Sequence, residues 1–225
     1  MMLQRMHHIA CVRKLESLEC FAKRILITRP IVKRLEMNAD IESSEIDRRN
    51  LIDHYKYWED DAIRADLDDK RFNYSVVCCN IGNDFNIATV IRNANAFLAK
   101  EVVIYGHKKY DRRGTVGTHH YTNFRHVRTI DDLGNYLSSI RGQIRLIGID
   151  NVPAAQNVND YDFYPNVHYV MIFGQEQIGV PTDVLSMCDD VLYIPQYGSV
   201  RSINVGCASS IVMNTYCMKV NSFVV

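Results

Sequence analysis

Five polar residues, Asn86, Arg92, Glu176, Ser202 and Asn204, sit where apolar runs break into glycine- and amide-rich turns. The first turn, Asn80-Ile81-Gly82-Asn83-Asp84-Phe85-Asn86, enters a helical pattern that carries on through Arg92 and Ala94. Main-chain amides at such a helix start can face a ligand. Arg92 follows Asn86 by six residues, nearly two turns, and is expected close to the same face. Taken alone, the pair also reads as a helix cap and a surface charge. The second turn is Phe173-Gly174-Gln175-Glu176-Gln177-Ile178-Gly179-Val180-Pro181, at the end of an apolar run. Its glycines allow a tight bend and close backbone approach, while Glu176 offers a carboxylate to a cation or to amides. It lacks the third glycine of a phosphate cradle. The third turn spans Ile194-Pro195-Gln196-Tyr197-Gly198-Ser199-Val200-Arg201-Ser202-Ile203-Asn204. Ser202 is placed to cap the helix that follows. Asn204, just inside that helix, is a poor helix former and is assigned another task.

The elements that must position these turns are short apolar runs alternating with helical patterns. Strands are expected at Tyr74–Cys79, Glu101–Tyr105, Ile144–Asp150, His168–Phe173 and Asp190–Ile194. Helices are expected at Asn86–Leu98, Ile130–Ile140, Pro181–Met187 and Ile203–Lys219. This alternation predicts an α/β fold, a parallel sheet with helices on both faces. Ligands of such sheets collect beyond the carboxyl ends of the strands, where all three turns lie. No G-x-G-x-x-G follows a strand, which disfavours a dinucleotide oxidoreductase. Before residue 73 the chain is more heavily charged. Residues 1–72 are read as an N-terminal helical extension and 73–225 as the α/β domain. Within the extension, 46–64 is expected to be the best-ordered helix, capped from Ser43 or Ser44, with Leu51, Ile52, Tyr55 and Trp58 on its apolar face.

Twenty-six basic and 26 acidic residues give a net charge of zero. This excludes a generally basic coat but leaves room for a local patch. Gly106–Arg128 supplies one: Lys108, Lys109, Arg112, Arg113, Arg125 and Arg128 stand against the single acid Asp111, with Tyr110 and Tyr121 among them. Cations interleaved with aromatics are what an RNA contact requires. His107, His119, His120 and His126 share the segment, but the adjacent pair His119-His120 is expected to point apart and no cysteine is near, so no metal is expected. Seven cysteines without a C-x-x-C suggest neither a disulfide framework nor a zinc cluster, and fit a reducing compartment. No apolar run reaches the roughly 18–20 residues of a membrane span, so a soluble, cytoplasmic protein is expected. Arg5, Arg13 and Lys14, with no acid before Glu16, also follow the pattern of an organelle presequence. Met37 is an alternative natural start.

In this order and spacing, the three turns resemble motifs one, two and three of the SpoU/TrmH branch of the SPOUT methyltransferases, and the resemblance runs from about Tyr74 to Tyr216. It implies an RNA methyltransferase that takes S-adenosyl-L-methionine as cofactor and acts on a ribose 2′-hydroxyl of tRNA or rRNA. It also implies a C-terminal trefoil knot, formed by roughly His168–Lys219, and a homodimer that completes the active site. By motif position the catalytic set is Asn86, Arg92, Glu176, Ser202 and Asn204. The cofactor is expected on main-chain groups near Phe173, Gly174, Ile194 and Ile203, with Ile149 beside them. Arg112-Arg113-Gly114 with Gly117 resembles the family's RNA-facing loop, and Ile46–Trp58 resembles an extension of some bacterial members. Three positions depart from the usual motifs: Ala88 for glycine or serine, Asn93 for threonine or serine, and Gln196 for methionine. Two other readings are a non-catalytic RNA-binding scaffold of the same fold and a knotted methyltransferase acting on a base nitrogen.

Overall fold

Every residue of β1 (Tyr74–Cys79) and of β6 (His168–Phe173) is buried, because these strands pair at the centre of a seven-stranded sheet. The computed structural model describes residues 47–79, 82–107, 110–140, 142–175 and 177–221. The remaining strands are β2 (Val102–Tyr105), β3 (Phe124–Val127), β4 (Ile144–Ile149), β5 (Gln156–Asn157) and β7 (Asp190–Tyr193). Their order is β3-β2-β1-β6-β4-β7-β5, and every pairing is parallel. The helices are α1 (Asp60–Asp68), α2 (Asp84–Ala96), α3 (Arg112–Thr115), α4 (Ile130–Ser139), α5 (Thr182–Leu185) and α6 (Val205–Asn221).

Successive side chains of a strand face opposite sides, so a doubly covered sheet needs two cores. Tyr74, Val76 and Cys78 enter one core with Ile87, Val90, Ile91 and Ala94 of α2 and Val212, Met213, Tyr216 and Val220 of α6. Val77 and Cys79 enter the other with Leu133, Tyr136 and Leu137 of α4 and Val184 of α5. A reciprocal capping box between Thr129 and Asp132 starts α4. The strands and helices expected from Tyr74 onward are all present, with ends shifted by no more than about two residues. Two strands were not anticipated, β3 and β5, and both are sheet edges. An edge strand has one neighbour and needs no continuous apolar run. Only Val127 of β3 is fully buried, and β5 is a two-residue polar pair. No helix among the described residues is long and apolar enough to cross a membrane.

The segment before the sheet corrects the expected 46–64 helix. Residues 47–59 hold only a single 3-10 turn, Asp53–Tyr55, and the α-helix begins at Asp60. The Asp47 carboxylate forks onto the Arg49 guanidinium and accepts from the Tyr57 amide at 2.9 Å, while Arg49 also donates to the Trp58 carbonyl at 2.8 Å. These side-chain bonds bend the chain back on itself, and Tyr57 takes a left-handed φ of 65° that a helix does not accommodate. Tyr55, Leu51 and Trp58 still pack together with Ile63 and Leu67 of α1, whereas Ile52 is exposed. The same cluster takes in Tyr121 and Leu98 from the α/β part. Arg71 donates to the carbonyls of Ala99 (2.9 Å) and Tyr121 (2.8 Å), and Arg64 to that of His120. The compact unit that contains the sheet begins at Asp47. The expectations for residues 1–46, including Ser43, Ser44 and the presequence pattern, lie outside the described residues.

His168, at the start of β6, is buried and shares a 3.0 Å hydrogen bond with the Ser75 hydroxyl. Burial, aided by the nearby charge of Lys100, pushes its pKa down from 6.5 to about 4. Below pH 6.5 the unfolded chain therefore binds a proton that the folded chain refuses until about pH 4. Stability should fall across that window by roughly 3 kcal/mol. Urea unfolding at pH 7 and pH 4.5 should show this drop in the wild type and a smaller one in His168→Gln; equal drops would remove His168 from the account.

Candidate active site

The loop after β6 crosses itself at Gly174. Gln175 and Gly179 exchange two backbone hydrogen bonds, of 3.0 and 2.8 Å, and close a tight loop over residues 176–178. A Cβ on Gly174 would overlap the carbonyl of Gly179 and the amide of Val180, so only glycine fits. Gly179 has a φ of +73°, and its own Cβ would overlap the Asp150 carboxylate. That carboxylate, just beyond the end of β4, accepts from the Val180 amide at 2.8 Å and from the Asn151 amide at 2.7 Å. Asn151 in turn donates to the Arg201 carbonyl at 3.2 Å, in the loop after β7. Asp150 and Asn151 thus tie the loops after β4, β6 and β7 together. Sequence reading missed both, although an acid followed by an amide at a strand's carboxyl end was a visible signal.

These loops enclose a cavity of about 240 Å³, partly open to solvent. All five residues expected to hold a cofactor, Ile149, Phe173, Gly174, Ile194 and Ile203, line it. Ser202, Arg201 and Gln196 complete the third-turn wall. The wall is mixed: Ile149, Phe173, Ile194 and Ile203 offer apolar surface to a flat ring, and Asp150, Asn151, Gln175 and Gln177 add polar groups. Among the described residues no group of three metal-ligating side chains occurs.

Asn86 and Asn204 are brought together: the Asn204 amide donates to the Asn86 side-chain oxygen at 2.9 Å. Asn204 also accepts from the Gly206 amide (2.9 Å) and the Cys207 amide (3.3 Å). It is therefore the N-cap of α6, and the expectation that Ser202 caps this helix is corrected. The helix starts at Val205, two residues later than expected, so Ser202 stays exposed on the cavity wall. The first turn is held to the third at a further point. The Asn93 amide donates to the Gly206 carbonyl (2.8 Å) and the Ser209 hydroxyl (2.9 Å). A Cβ on Gly206 would meet Thr89 at 2.7 Å, which shows how closely α2 and α6 approach. Asn93, one of the departures from the usual motif, is thus a structural clamp.

Arg92 is exposed on α2 and does not line the cavity. Six residues rotate a helix by about 600°, which leaves Arg92 about a third of a turn from Asn86. The expectation of a shared face is corrected: Asn86 faces inward to α6 and Arg92 faces solvent. Glu176, Lys108 and Lys109 lie outside the described residues. Arg112 and Arg113 are exposed on α3, with Arg113 paired to Asp111 at 2.6 Å. This turn is seated beside the first one, since Asp111 donates to the Asp84 carbonyl (3.2 Å) and a Cβ on Gly114 would meet Ala88 at 2.7 Å. Arg125 is engaged elsewhere, paired with Glu101 at 3.3 Å and lying over the Tyr136 ring. Arg128 is exposed just past β3. His119 and His120 do not point apart as expected. A 3-10 turn brings their ring centroids to 4.1 Å, with His119 bonded to Thr115 and His120 facing Asp60.

A family model described as the SpoU rRNA Methylase family matches residues 73–214. The chain belongs to this family. It is 30% identical over 90 residues to the 23S rRNA (guanosine-2′-O-)-methyltransferase RlmB of Acinetobacter baylyi, a match covering 39% of this chain and 36% of the relative. It is 25% identical over 132 residues to the tRNA (guanosine(18)-2′-O)-methyltransferase of Escherichia coli, covering 57% of this chain and 56% of the relative. The matches thus span about a third and about half of those relatives. The SpoU methyltransferase AviRb from Streptomyces viridochromogenes, solved in complex with AdoMet, shares the fold with a TM-score of 0.59 at 23% identity, over 66% of this chain and 58% of that one. The family match begins at residue 73, whereas the compact unit begins at Asp47.

Removing the N-cap separates the roles assigned to the third turn. Asn204→Ala should cost about 1–2 kcal/mol in urea unfolding, and Ser202→Ala less than about 0.5 kcal/mol. Equal losses would contradict the assignment of Asn204 as the cap.

Proposed function

We propose that this protein is an S-adenosylmethionine-dependent RNA methyltransferase that modifies a ribose 2′-hydroxyl of tRNA or rRNA. The observation that carries the reading is the convergence of Ile149, Phe173, Gly174, Ile194 and Ile203 on one cavity at the carboxyl ends of β4, β6 and β7, in a chain of this family. The two relatives named above are 2′-O-methyltransferases, one of rRNA and one of tRNA. The cavity residues fit the cofactor. The apolar members of the wall, Ile149, Phe173, Ile194 and Ile203, suit a purine face, and Gly174 brings backbone to the cavity without a side chain of its own. Bound there, S-adenosylmethionine supplies an electrophilic methyl group on a sulfonium. A knot through residues 168–219 would fix these loops relative to one another.

Methyl transfer from a sulfonium to a ribose oxygen cancels charge, so positioning contributes more than oxyanion stabilisation. Arg92 binds the phosphate next to the target, orients the 2′-oxygen and stabilises it as its proton leaves. A guanidinium has donors and no acceptor, so it is a poor base. Arg112 and Arg113 hold the RNA backbone beside the first turn. Because Arg92 is exposed outside its own cavity, we place a second copy of the chain against the α2–α6 face, so that Arg92 serves the shared site. That face supports the placement through an uncharged exposed row on α6, formed by Cys207, Ile211, Asn214 and Met218.

Arg92→Lys keeps the charge but loses the bidentate fork, and should lower the single-turnover methyl-transfer rate on total tRNA or rRNA by about 100-fold. A near wild-type rate would refute this role. Mass spectrometry of the product nucleoside should find the methyl on the ribose fragment; a methylated base fragment would favour the base-nitrogen reading. Ile211→Asp should convert a dimer to monomers in sedimentation velocity, with activity lost and cofactor binding retained. A fully active monomer would overturn the shared site.

A further inference from the structure

We infer that the exposed ring of Phe85 is a stacking platform for a base of the bound RNA, an inference that rests on the proposed function. Phe85 is the second residue of α2, and 53% of it is open to solvent. A lone exposed apolar side chain needs no explanation. This one is held in a fixed position. Its backbone N–H donates to the Asn83 side-chain oxygen at 2.9 Å, and its carbonyl accepts from the Thr89 hydroxyl at 3.0 Å. A Cβ on Gly114 would come within 3.4 Å of the ring, so the glycine lets α3 close against it. The ring is thus backed by α3 while about half of its surface faces water. Such a ring loses little freedom when a ligand settles on it.

Two neighbours of the ring say what settles there. Along α2, seven residues turn the helix by about 700°, so Phe85 and Arg92 lie within about 20° of one line, about 10 Å apart along the axis. Both are exposed. Across the turn, α3 displays Arg112 and Arg113 beside the ring. Arg113 is paired with Asp111, while Arg112 makes no ion pair with the described residues. A flat apolar ring flanked by guanidinium groups matches a nucleotide, which brings a π-face and a phosphate together. A second copy of the chain is the rival occupant. The uncharged row on α6 suits that partner better than a ring set among arginines does. Every base has a π-face, so stacking tolerates sequence. Phe85 therefore holds an unpaired stretch of RNA beside the first turn and does not read which base is there.

The test compares the full chain as wild type, Phe85→Leu, which keeps apolar bulk without a π-face, and Phe85→Tyr, which keeps the ring. Fluorescence anisotropy with labelled total tRNA and, separately, total rRNA reads RNA affinity across a salt series. On whichever RNA the wild type binds, Phe85→Leu should weaken binding about tenfold and Phe85→Tyr less than about twofold. Stacking neutralises no phosphate, so the dependence of log Kd on log salt should keep its slope in both variants, whereas Arg112→Ala should flatten it by about one. Binding of S-adenosylhomocysteine should be equal in wild type and both ring variants. Wild-type affinity in Phe85→Leu, or equal loss in Phe85→Leu and Phe85→Tyr, would overturn the inference. So would weaker S-adenosylhomocysteine binding by Phe85→Leu, or its dissociation to monomers in sedimentation velocity, which would make the ring part of a protein interface. A wild type that binds S-adenosylhomocysteine but neither RNA would take down the RNA half of the proposed function together with this inference.

Discussion

The cavity exists because two backbone segments pass within contact distance at Gly174, where the paired Gln175 and Gly179 backbones and the Asp150 carboxylate hold them. Asp150 satisfies the Val180 amide beside the crossing and the Asn151 amide at its own strand end, so its loss would strand two donors and release the loop after β6. Hydrogen bonds to a charged acceptor are among the stronger ones in proteins. Gly174 and Gly179 leave no room for a side chain at the crossing, which makes the arrangement all-or-none. Five apolar and glycine positions, drawn from the ends of β4, β6 and β7 and from the loop before α6, become one wall under that constraint.

A second constraint couples this wall to the first turn. α2 and α6 approach closely enough that Gly206 faces Thr89 directly, and Asn93 and the Asn86–Asn204 pair bridge them. The start of α6 is therefore fixed from both sides, by its own cap and by α2. Arg92 is not part of this clamp. It is exposed to solvent on α2. Residues 47–72 brace the opposite flank. The carbonyls of His120 and Tyr121 accept from Arg64 and Arg71, and this steadies the turn that displays Arg112 and Arg113.

Much of the fold was legible because central parallel strands are buried on both faces and must be continuously apolar, as Tyr74–Cys79 and His168–Phe173 are. Edge strands escape that requirement, so Phe124–Val127 and Gln156–Asn157 read as polar loop. The cavity wall was legible as well: a strand end followed by glycine marks where a ligand approaches backbone. What a linear reading could not supply was side-chain geometry across the fold. Asn204 was judged by helix propensity, yet one residue outside the helix the same side chain is a favourable cap. Asn86 and Arg92 were judged by turns, and the remaining third of a turn puts one inside and the other outside. The helix expected over residues 46–58 failed because the Asp47–Arg49 fork and the left-handed Tyr57 outweigh an amphipathic pattern.

The account stands on the claim that this cavity is where a nucleoside-bearing methyl donor sits. A crystal structure of the protein with S-adenosylhomocysteine tests it directly. The purine should lie between Phe173, Ile194 and Ile203, with the ligand beside Gly174. Density for the ligand at any other site, with this cavity left to solvent, would contradict the account.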